Sequence, residues 1–157
     1  MSFLFTVPCS LFTVNIKFKI VTPERTVTEE TVDSATIPTT DGEITILPNH
    51  RSYIASLKTG ELMLRKGKEE NYIYVSGGFI EFNNNELIVL ADAAERAEEI
   101  DLKIAEQAKK RAEEIKQQKI ALDDTEYARV AAAIERESAK IKVARKHYTK
   151  RGINISE

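Results

Sequence analysis

Residues 41–50 read DGEITILPNH, and this stretch predicts the fold of the first 92 residues. Gly42 opens it, Ile44 and Ile46 alternate with polar neighbours, and Pro48–Asn49 closes it. Alternation with a period of two is typical of a strand with one buried face, and a Pro-Asn pair predicts a turn. We therefore interpret the stretch as a strand that runs into a fixed turn.

The same pattern of short strands continues on both sides. Upstream, apolar residues at 16, 18 and 20 alternate with lysines at 17 and 19, as in an antiparallel strand with one wet side. Three asparagines at 83–85 predict a turn with left-handed backbone. Further segments of strand type lie at 27–32, 35–37, 52–57, 61–65, 72–75, 79–82 and 86–90. Many short strands separated by turns predict a β-sandwich or barrel.

The double glycine Gly77–Gly78 has two interpretations. Inside a strand region it indicates a bulge or a close backbone approach. A phosphate-binding loop would need a helix N-terminus and a Lys-Ser/Thr pair after it, and neither follows. We predict the bulge or close approach.

After residue 92 the sequence predicts a helical hairpin. From Ala93 to Gln118 nearly every residue is a helix former, and a D-x-x-E capping pattern at 123–126 begins a second helix that ends at Gly152. The predicted apolar faces are Ile104, Ala108, Ile115 and Leu122, widened by Ala97, Ala105 and Ala112, and then Tyr127, Ile134, Ile141 and Tyr148. These stripes are narrow and rich in alanine, so at about 25 cal/mol per Å² packing contributes only a few kcal/mol. This predicts a docked but releasable hairpin.

The predicted fold class is α+β, with an antiparallel β-sandwich followed by a two-helix hairpin. The expected divisions are an extension at 1–13, the sandwich at 14–92 and the hairpin at 93–157. The extension is apolar but lacks the basic region of an export signal, since the first lysine is Lys17. A frayed extension, an early start codon and an extra edge strand remain open interpretations.

Composition narrows the function classes. Residues 1–92 carry 8 Lys and Arg against 12 Asp and Glu, while residues 129–151 carry 8 against 2, so the second helix is strongly basic. This predicts an acidic partner. Nucleic acid is disfavoured because Tyr148 is the one aromatic residue among these basic residues. A single Cys9 and two distant histidines argue against disulfides and metal clusters, and no apolar run is long enough to span a membrane.

His50 and Glu43 are candidate site residues at the edge of the predicted sandwich. A catalytic His50 would need a partner within hydrogen-bond reach, and no recognisable set accompanies it, so we predict a turn or interface histidine. A lone acid such as Glu43 is usually solvated unless its loop is a docking surface.

Three motifs in this order resemble the epsilon subunit of F-type ATP synthases, the counterpart of the mitochondrial delta subunit. They are GEITILPNH at 42–50, YVSGGFIE at 74–81 and LADAAERAEEID at 90–101. The resemblance implies a non-catalytic subunit of the central stalk that contacts the gamma subunit and the c-subunit ring. It implies an interface formed by Glu43, Pro48, His50, Gly77 and Gly78.

The resemblance also implies a hairpin that folds down on the sandwich or extends beside gamma. In the extended state it would meet the catalytic alpha/beta head, inhibit ATP hydrolysis and contact an acidic segment of the beta subunit through Arg136, Lys140, Lys142 and Arg145. It places the protein peripherally on the cytoplasmic face of a bacterial plasma membrane or, alternatively, on the stromal face of a thylakoid, without membrane insertion.

Some relatives bind ATP through an I/L-D-x-x-R-A motif, which corresponds here to residues 100–105. Ile104 stands where the motif has arginine, although similar residues remain at Glu95, Asp101, Arg111 and Arg136. We expect weak or absent ATP binding and no required cofactor. A β-sandwich adaptor or chaperone-like binding module remains the alternative function, and an enzyme using His50 is the least favoured.

Overall fold

The computed structural model describes residues 14–118 and 124–152 of the chain, and its elements are ten strands and two helices. The predicted extension at 1–13, Leu122 and the start of the capping pattern at Asp123 lie outside the described residues. The elements are β1 Ile16–Val21, β2 Thr26–Val32, β3 Ser34–Thr39, β4 Gly42–Ile46, β5 Tyr53–Ser56, β6 Gly60–Lys66, β7 Glu69–Ser76, β8 Phe79–Asn83, β9 Glu86–Leu90, β10 Ala93–Arg96, α1 Leu102–Gln118 and α2 Asp124–Lys150.

The strands form two five-stranded sheets packed face to face, which confirms the predicted β-sandwich followed by helices. Sheet A has the order β2-β1-β9-β8-β5 and sheet B the order β10-β7-β6-β3-β4. Pairing is antiparallel except between β1 and β9, which are parallel, with Lys17 opposite Glu86. Apolar side chains of alternating parity fill the space between the sheets, as at Ile16, Phe18 and Ile20, which are at most 1% exposed.

The run of helix formers predicts a helix from Ala93, and this is wrong for residues 93–101. Ala93–Arg96 is instead strand β10, paired antiparallel with β7, and it places Ala94 in the sandwich core. Pairing with an open sheet edge here outweighs local helix propensity. The helix begins at Leu102, where the Asp101 Oδ1 atom accepts hydrogen bonds from the backbone N–H groups of Lys103 and Ile104.

The predicted apolar stripe of α1 is also only partly right. Ala105 and Ala112 are buried, at 3% and 9% exposure, and Ala108 is half-buried, whereas Ile104 is 66% and Ile115 is 44% exposed. Alanine lets two helices approach closely, and the larger side chains are left on the outside.

The seven-residue stripe of α2 is likewise only partly right. Tyr127 is 49% exposed, whereas Ile134, Ile141 and Tyr148 are half-buried, and the most buried residues of the described helix are Val143, Ala144 and His147. The physical reason is that the C-terminal half of α2 packs on β6 and β7, so the sheet determines which helical face is buried. The described helix ends at Lys150, and Gly152 follows with a φ of 69°, as predicted for its end.

A second apolar cluster joins the hairpin to the sandwich. It contains Tyr72 and Tyr74 from the outer face of sheet B, Ala97 and Ile100 from the connection to α1, and Val143 and Ala144 from α2. The hairpin is therefore docked on sheet B in this structure.

Gly77 and Gly78 form the turn between β7 and β8, and both have positive φ, 60° and 107°. A Cβ atom on Gly78 would overlap the Leu90 carbonyl oxygen and lie 2.9 Å from the Ala91 Cα atom. The predicted close backbone approach is confirmed, because only glycine leaves room for β9 here.

We predict that Gly78→Ala destabilises the sandwich by about 2 kcal/mol more than Gly67→Ala. Both glycines have positive φ, but a Cβ on Gly67 would meet nothing within 4 Å, so Gly67→Ala loses only about 1 kcal/mol for left-handed backbone. Urea unfolding of both variants measures the difference. Equal midpoints would show that the contact with Leu90 is not limiting.

Candidate functional site

The loop after β4 is held in a fixed conformation at one end of the sandwich. Asn49 has a φ of 62°, and its backbone N–H donates to the Asn85 Oδ1 atom at 2.6 Å. The Asn85 side-chain amide returns a hydrogen bond to the Asn49 Oδ1 atom at 3.2 Å. Asn84 and Asn85 form the left-handed turn predicted between β8 and β9, with φ of 49° and 61°. The reciprocal pair joins two loops that lie 36 residues apart.

The structure separates the predicted interface residues, because Glu43 lies near the start of β4, beside the β3–β4 hairpin, whereas Pro48 and His50 follow the end of this strand. Glu43 is exposed on β4 opposite Pro38, Pro48 is half-buried, and Leu47 is 56% exposed. The exposed His50 ring makes edge contacts with Phe82 and Tyr53, at 5.8 and 6.2 Å between ring centroids, and its Nδ1 atom lies 2.8 Å from the Arg51 carbonyl oxygen. These contacts orient the imidazole within a turn. Gly77 and Gly78 have the separate, structural role described above.

An apolar patch covers part of the outer face of sheet A. Ile54 is 72%, Phe79 60% and Leu90 55% exposed, and Phe79 lies directly opposite Leu90 across β8 and β9. Ile54 on β5 is opposite Glu81, whose other neighbour is Ile88. We call Ile54, Phe79, Ile88 and Leu90 the outer patch. Exposed apolar residues grouped in this way are typical of a protein-docking surface.

The sequence pattern did not single out the outer patch. The sequence nevertheless contains an indication of this patch. Segments such as FIEF and ELIVL carry apolar residues at both odd and even positions, and therefore on both faces of the strand. A strand with both faces apolar is covered on both faces.

A row of lysines holds α2 against the outer face of sheet B. Lys140 donates to the Glu95 carboxylate at 2.6 Å, Lys146 to Glu61 at 2.5 Å, and Lys150 to Glu70. We call Lys140, Lys146 and Lys150 the lysine row.

Each ammonium group of the lysine row also lies over a tyrosine ring of β7. Lys140 is 5.4 Å from the centre of the Tyr74 ring, and Lys146 and Lys150 are 4.8 and 5.3 Å from that of Tyr72. Strand register makes this possible, since Glu61 and Glu95 flank Tyr74 on the two neighbouring strands.

The electrostatics of this contact favour charged lysines and neutral tyrosines. Burial disfavours the charge of Lys140, but the hydrogen bond and charge of Glu95 outweigh it and raise the pKa of Lys140. Burial also disfavours the charged form of Tyr72 and Tyr74, which raises the pKa of both hydroxyl groups, so both rings stay neutral. Partly exposed ion pairs contribute about 0–1 kcal/mol each and cation–π contacts about 0.5–1 kcal/mol, which sums to a few kcal/mol.

In the docked structure, two of the four basic residues predicted to contact a partner are in ion pairs and two are exposed. Lys140 faces the sandwich, and Arg145 donates to the Glu106 carboxylate of α1 at 2.9 Å. Arg136 and Lys142 are exposed. In this state two of the four are therefore available at the surface.

The residues of the predicted degenerate nucleotide site are likewise engaged or exposed. Glu95 is paired with Lys140, and Asp101 caps α1. Arg111 is exposed, and Ile104 points to solvent with 66% exposure. The structure thus gives the two carboxylates partners from within the chain.

His147 is the buried histidine of the docked helix, with only 6% of its surface exposed. It lines a small cavity together with Asn71 and Tyr72 of β7 and with Arg96 and Glu98. Burial and the charge of Arg151 lower the pKa of His147, and Glu98 opposes them. The docked fold therefore favours the neutral ring.

We predict that acid weakens the fold through His147. Since the folded pKa lies below the ordinary value near 6.5, stability from the neutral ring is complete above about pH 6.5 and falls below it. The urea midpoint of the full chain should drop between about pH 7.5 and pH 5.5, and the drop should shrink in His147→Gln. His50→Gln, at an exposed site, is the control and should keep the wild-type drop. An unchanged drop in His147→Gln would contradict the prediction.

Two further properties bear on the kind of site. Within residues 14–118 and 124–152, no three His, Cys, Asp or Glu side chains are grouped to hold a metal ion. The helices of the same described ranges include none that is long and apolar enough to cross a membrane.

Comparison with known proteins identifies the family. The family described as ATP synthase, delta/epsilon chain, beta-sandwich domain matches residues 15–97. An ATP synthase epsilon chain of Dehalococcoides mccartyi is 44% identical over 131 residues, covering 83% of this chain and 93% of the relative. That of Levilactobacillus brevis is 40% identical, covering 83% of this chain and 94% of the relative.

Solved structures share the fold. A chain of the Euglena gracilis mitochondrial ATP synthase matches with a TM-score of 0.69 at 22% identity, covering 80% of this chain and 79% of that one. A chain of the central stalk and c-ring of the Tetrahymena thermophila mitochondrial ATP synthase matches with a TM-score of 0.52 at 15% identity, covering 84% and 95%. From its sequence relatives and its family match, the chain belongs to the ATP synthase delta/epsilon chain family.

Proposed function

We propose that the protein is a non-catalytic rotor subunit in the central stalk of an ion-translocating F-type ATP synthase. Family membership supports this, and the observation that carries it is the outer patch on a sandwich whose opposite sheet holds a hairpin by a small apolar cluster and a row of ion pairs. A subunit of this kind transmits rotation through a rigid body and needs at least one apolar surface for permanent attachment. The releasable hairpin then provides regulation.

The outer patch is the proposed attachment surface for the gamma subunit. Its side chains lie on three neighbouring strands of sheet A, on one face and around the exposed Glu81. Covering exposed isoleucine, phenylalanine and leucine side chains favours binding by about 25 cal/mol per Å² of apolar area. Attachment through sheet A leaves the hairpin on sheet B free to move.

The fixed loop at the end of the sandwich is the proposed contact with the c-subunit ring. Pro48 and His50 lie there with the exposed Leu47, and the Asn49–Asn85 pair holds the loop before any partner arrives. A loop that is already ordered loses little entropy on binding. The exposed Glu43 carboxylate, at the other end of β4, is proposed as a separate polar contact with such a ring.

The hairpin is proposed to inhibit ATP hydrolysis when it leaves sheet B and extends toward the catalytic alpha/beta head. Arg136, Lys140, Lys142 and Arg145 then face an acidic segment of the beta subunit. Because Lys140 must first leave Glu95 and Arg145 must leave Glu106, docked and extended states compete for the same charges. Two states that differ by a few kcal/mol can be shifted by such competition.

The assembly is proposed to lie on the cytoplasmic face of a bacterial plasma membrane, with the thylakoid stromal face as the alternative. A β-sandwich adaptor or chaperone-like module stays the second candidate function, since an outer patch also suits an unrelated client. The partner separates the two, because a rotor subunit binds the gamma subunit whereas an adaptor binds other chains.

We predict that Ile54→Gln weakens binding to the purified gamma subunit by at least about tenfold, or about 1.4 kcal/mol. The matched control is Ile104→Gln, which replaces an equally exposed isoleucine on the hairpin, outside the outer patch. Calorimetry or biosensor titration with the full chain measures both. Unchanged binding by Ile54→Gln would move the gamma contact away from sheet A, and no binding by the wild type would favour the adaptor.

We also predict that the isolated protein binds ATP weakly or not at all. Ile104 carries no charge toward a phosphate, and Glu95 and Asp101 already have partners within the chain. Calorimetry with ATP should show no saturation at concentrations of about 0.1 mM, corresponding to less than about 5.5 kcal/mol of binding free energy. Micromolar binding by the wild type would contradict this, and Ile104→Arg is the companion variant for restoring affinity.

A further inference from the structure

The contact between α2 and sheet B is unusual in its balance of polar and apolar groups. Its fully buried helical side chains are small, Val143 and Ala144, while the larger Ile104 and Ile115 of the hairpin face solvent. On the sheet side the contact buries Tyr72 and Tyr74, so apolar burial supplies part of the docking free energy. The lysine row and the Arg151–Glu98 ion pair supply the charged part of the attraction.

A buried polar atom opposes docking at this contact. The Glu61 Oε2 atom is buried and has no hydrogen-bond partner in the part of the chain that the structure describes. An unpaired buried oxygen raises the free energy of the docked state. Attraction between charges must offset that opposition for the hairpin to stay down.

The charges involved are open to solvent on one side. The side chains of Lys146 and Lys150 are 44% and 51% exposed, while their partners Glu61 and Glu70 are 15% and 18% exposed. Ions in solution can therefore reach the ammonium groups. At longer range, the basic second helix and the acidic sandwich attract each other over distances at which salt screens strongly.

We propose that the lysine row is an ionic latch, so that rising ionic strength releases the hairpin from the sandwich. The latch closes at low salt, when Lys140, Lys146 and Lys150 are paired with Glu95, Glu61 and Glu70. It opens as salt competes for both sets of charges, because the screening length falls from about 10 Å at 0.1 M to about 3 Å at 1 M. This inference goes beyond the proposed rotor function and needs no partner subunit.

Deuterium exchange of the full chain tests the latch directly. Raising KCl from about 0.05 to 0.5 M should accelerate exchange of the amides at 139–147 by about tenfold, since an undocked helix frays. Amides of the sandwich core, such as those of β1, should change little. Sucrose at matched osmolality is the control for a general solvent effect. Exchange in α2 that is independent of salt would overturn the proposal.

Two triple variants of equal charge distinguish the effect of losing the lysine row from the effect of losing positive charge in general. Lys140→Gln, Lys146→Gln and Lys150→Gln together should give fast exchange in α2 already at low salt. The matched control replaces Lys103, Lys110 and Lys142 by Gln, which removes the same charge from exposed positions without ion pairs among the described residues. Equal exchange in the two triple variants would overturn the proposal.

Charge reversal gives an independent test of pairing. Lys140→Glu should release the helix at low salt, because it places two carboxylates together, and Glu95→Lys in the same chain should restore slow exchange. Failure of the second substitution to rescue a folded double variant would overturn the assignment of this pair. All these outcomes are read in the isolated protein, so they remain distinguishable from failure to bind the gamma subunit.

Discussion

Strand β7 is buried on both faces, and the rest of the structure depends on this constraint. Ile73 and Val75 fill the sandwich core, while Tyr72 and Tyr74 on the opposite face support the helices. The strand also lies between β6 and β10, so both of its edges are paired. A single eight-residue segment therefore joins the core, the last strand and the hairpin into one structure.

Period-two alternation was sufficient to predict the sandwich, because a half-buried strand leaves that pattern in the sequence. The close backbone approach at Gly78 and the helix end at Gly152 could also be predicted, since their positive φ excludes most other residues. Strand β10 could not be predicted from the sequence. Ala93–Arg96 has the composition of a helix, and only the free edge of β7, which is formed by distant residues, makes it a strand. The exposure of Ile104 could not be predicted for a similar reason, since packing of α1 on α2 determines which face of α1 is buried.

The candidate surfaces show the same division between local and distant information. A motif marked the strand that carries Glu43 and the loop that carries His50, but the Asn49–Asn85 pair that fixes this loop joins two separate turns. The basic character of α2 was plain from composition, yet which lysines face the sandwich depends on strand register. Glu61 and Glu95 become neighbours of Tyr74 only when β6, β7 and β10 align.

The parallel pairing of β1 with β9 determines when the chain can fold during synthesis. Lys17 pairs with Glu86, so the middle of sheet A stays incomplete until nearly ninety residues have left the ribosome. Sheets with such distant pairing form slowly compared with local hairpins. The helices are made last and meet a finished sheet B. Translation order thus gives the sandwich time to assemble before the basic helix arrives, and keeps its lysines away from unfinished acidic strands.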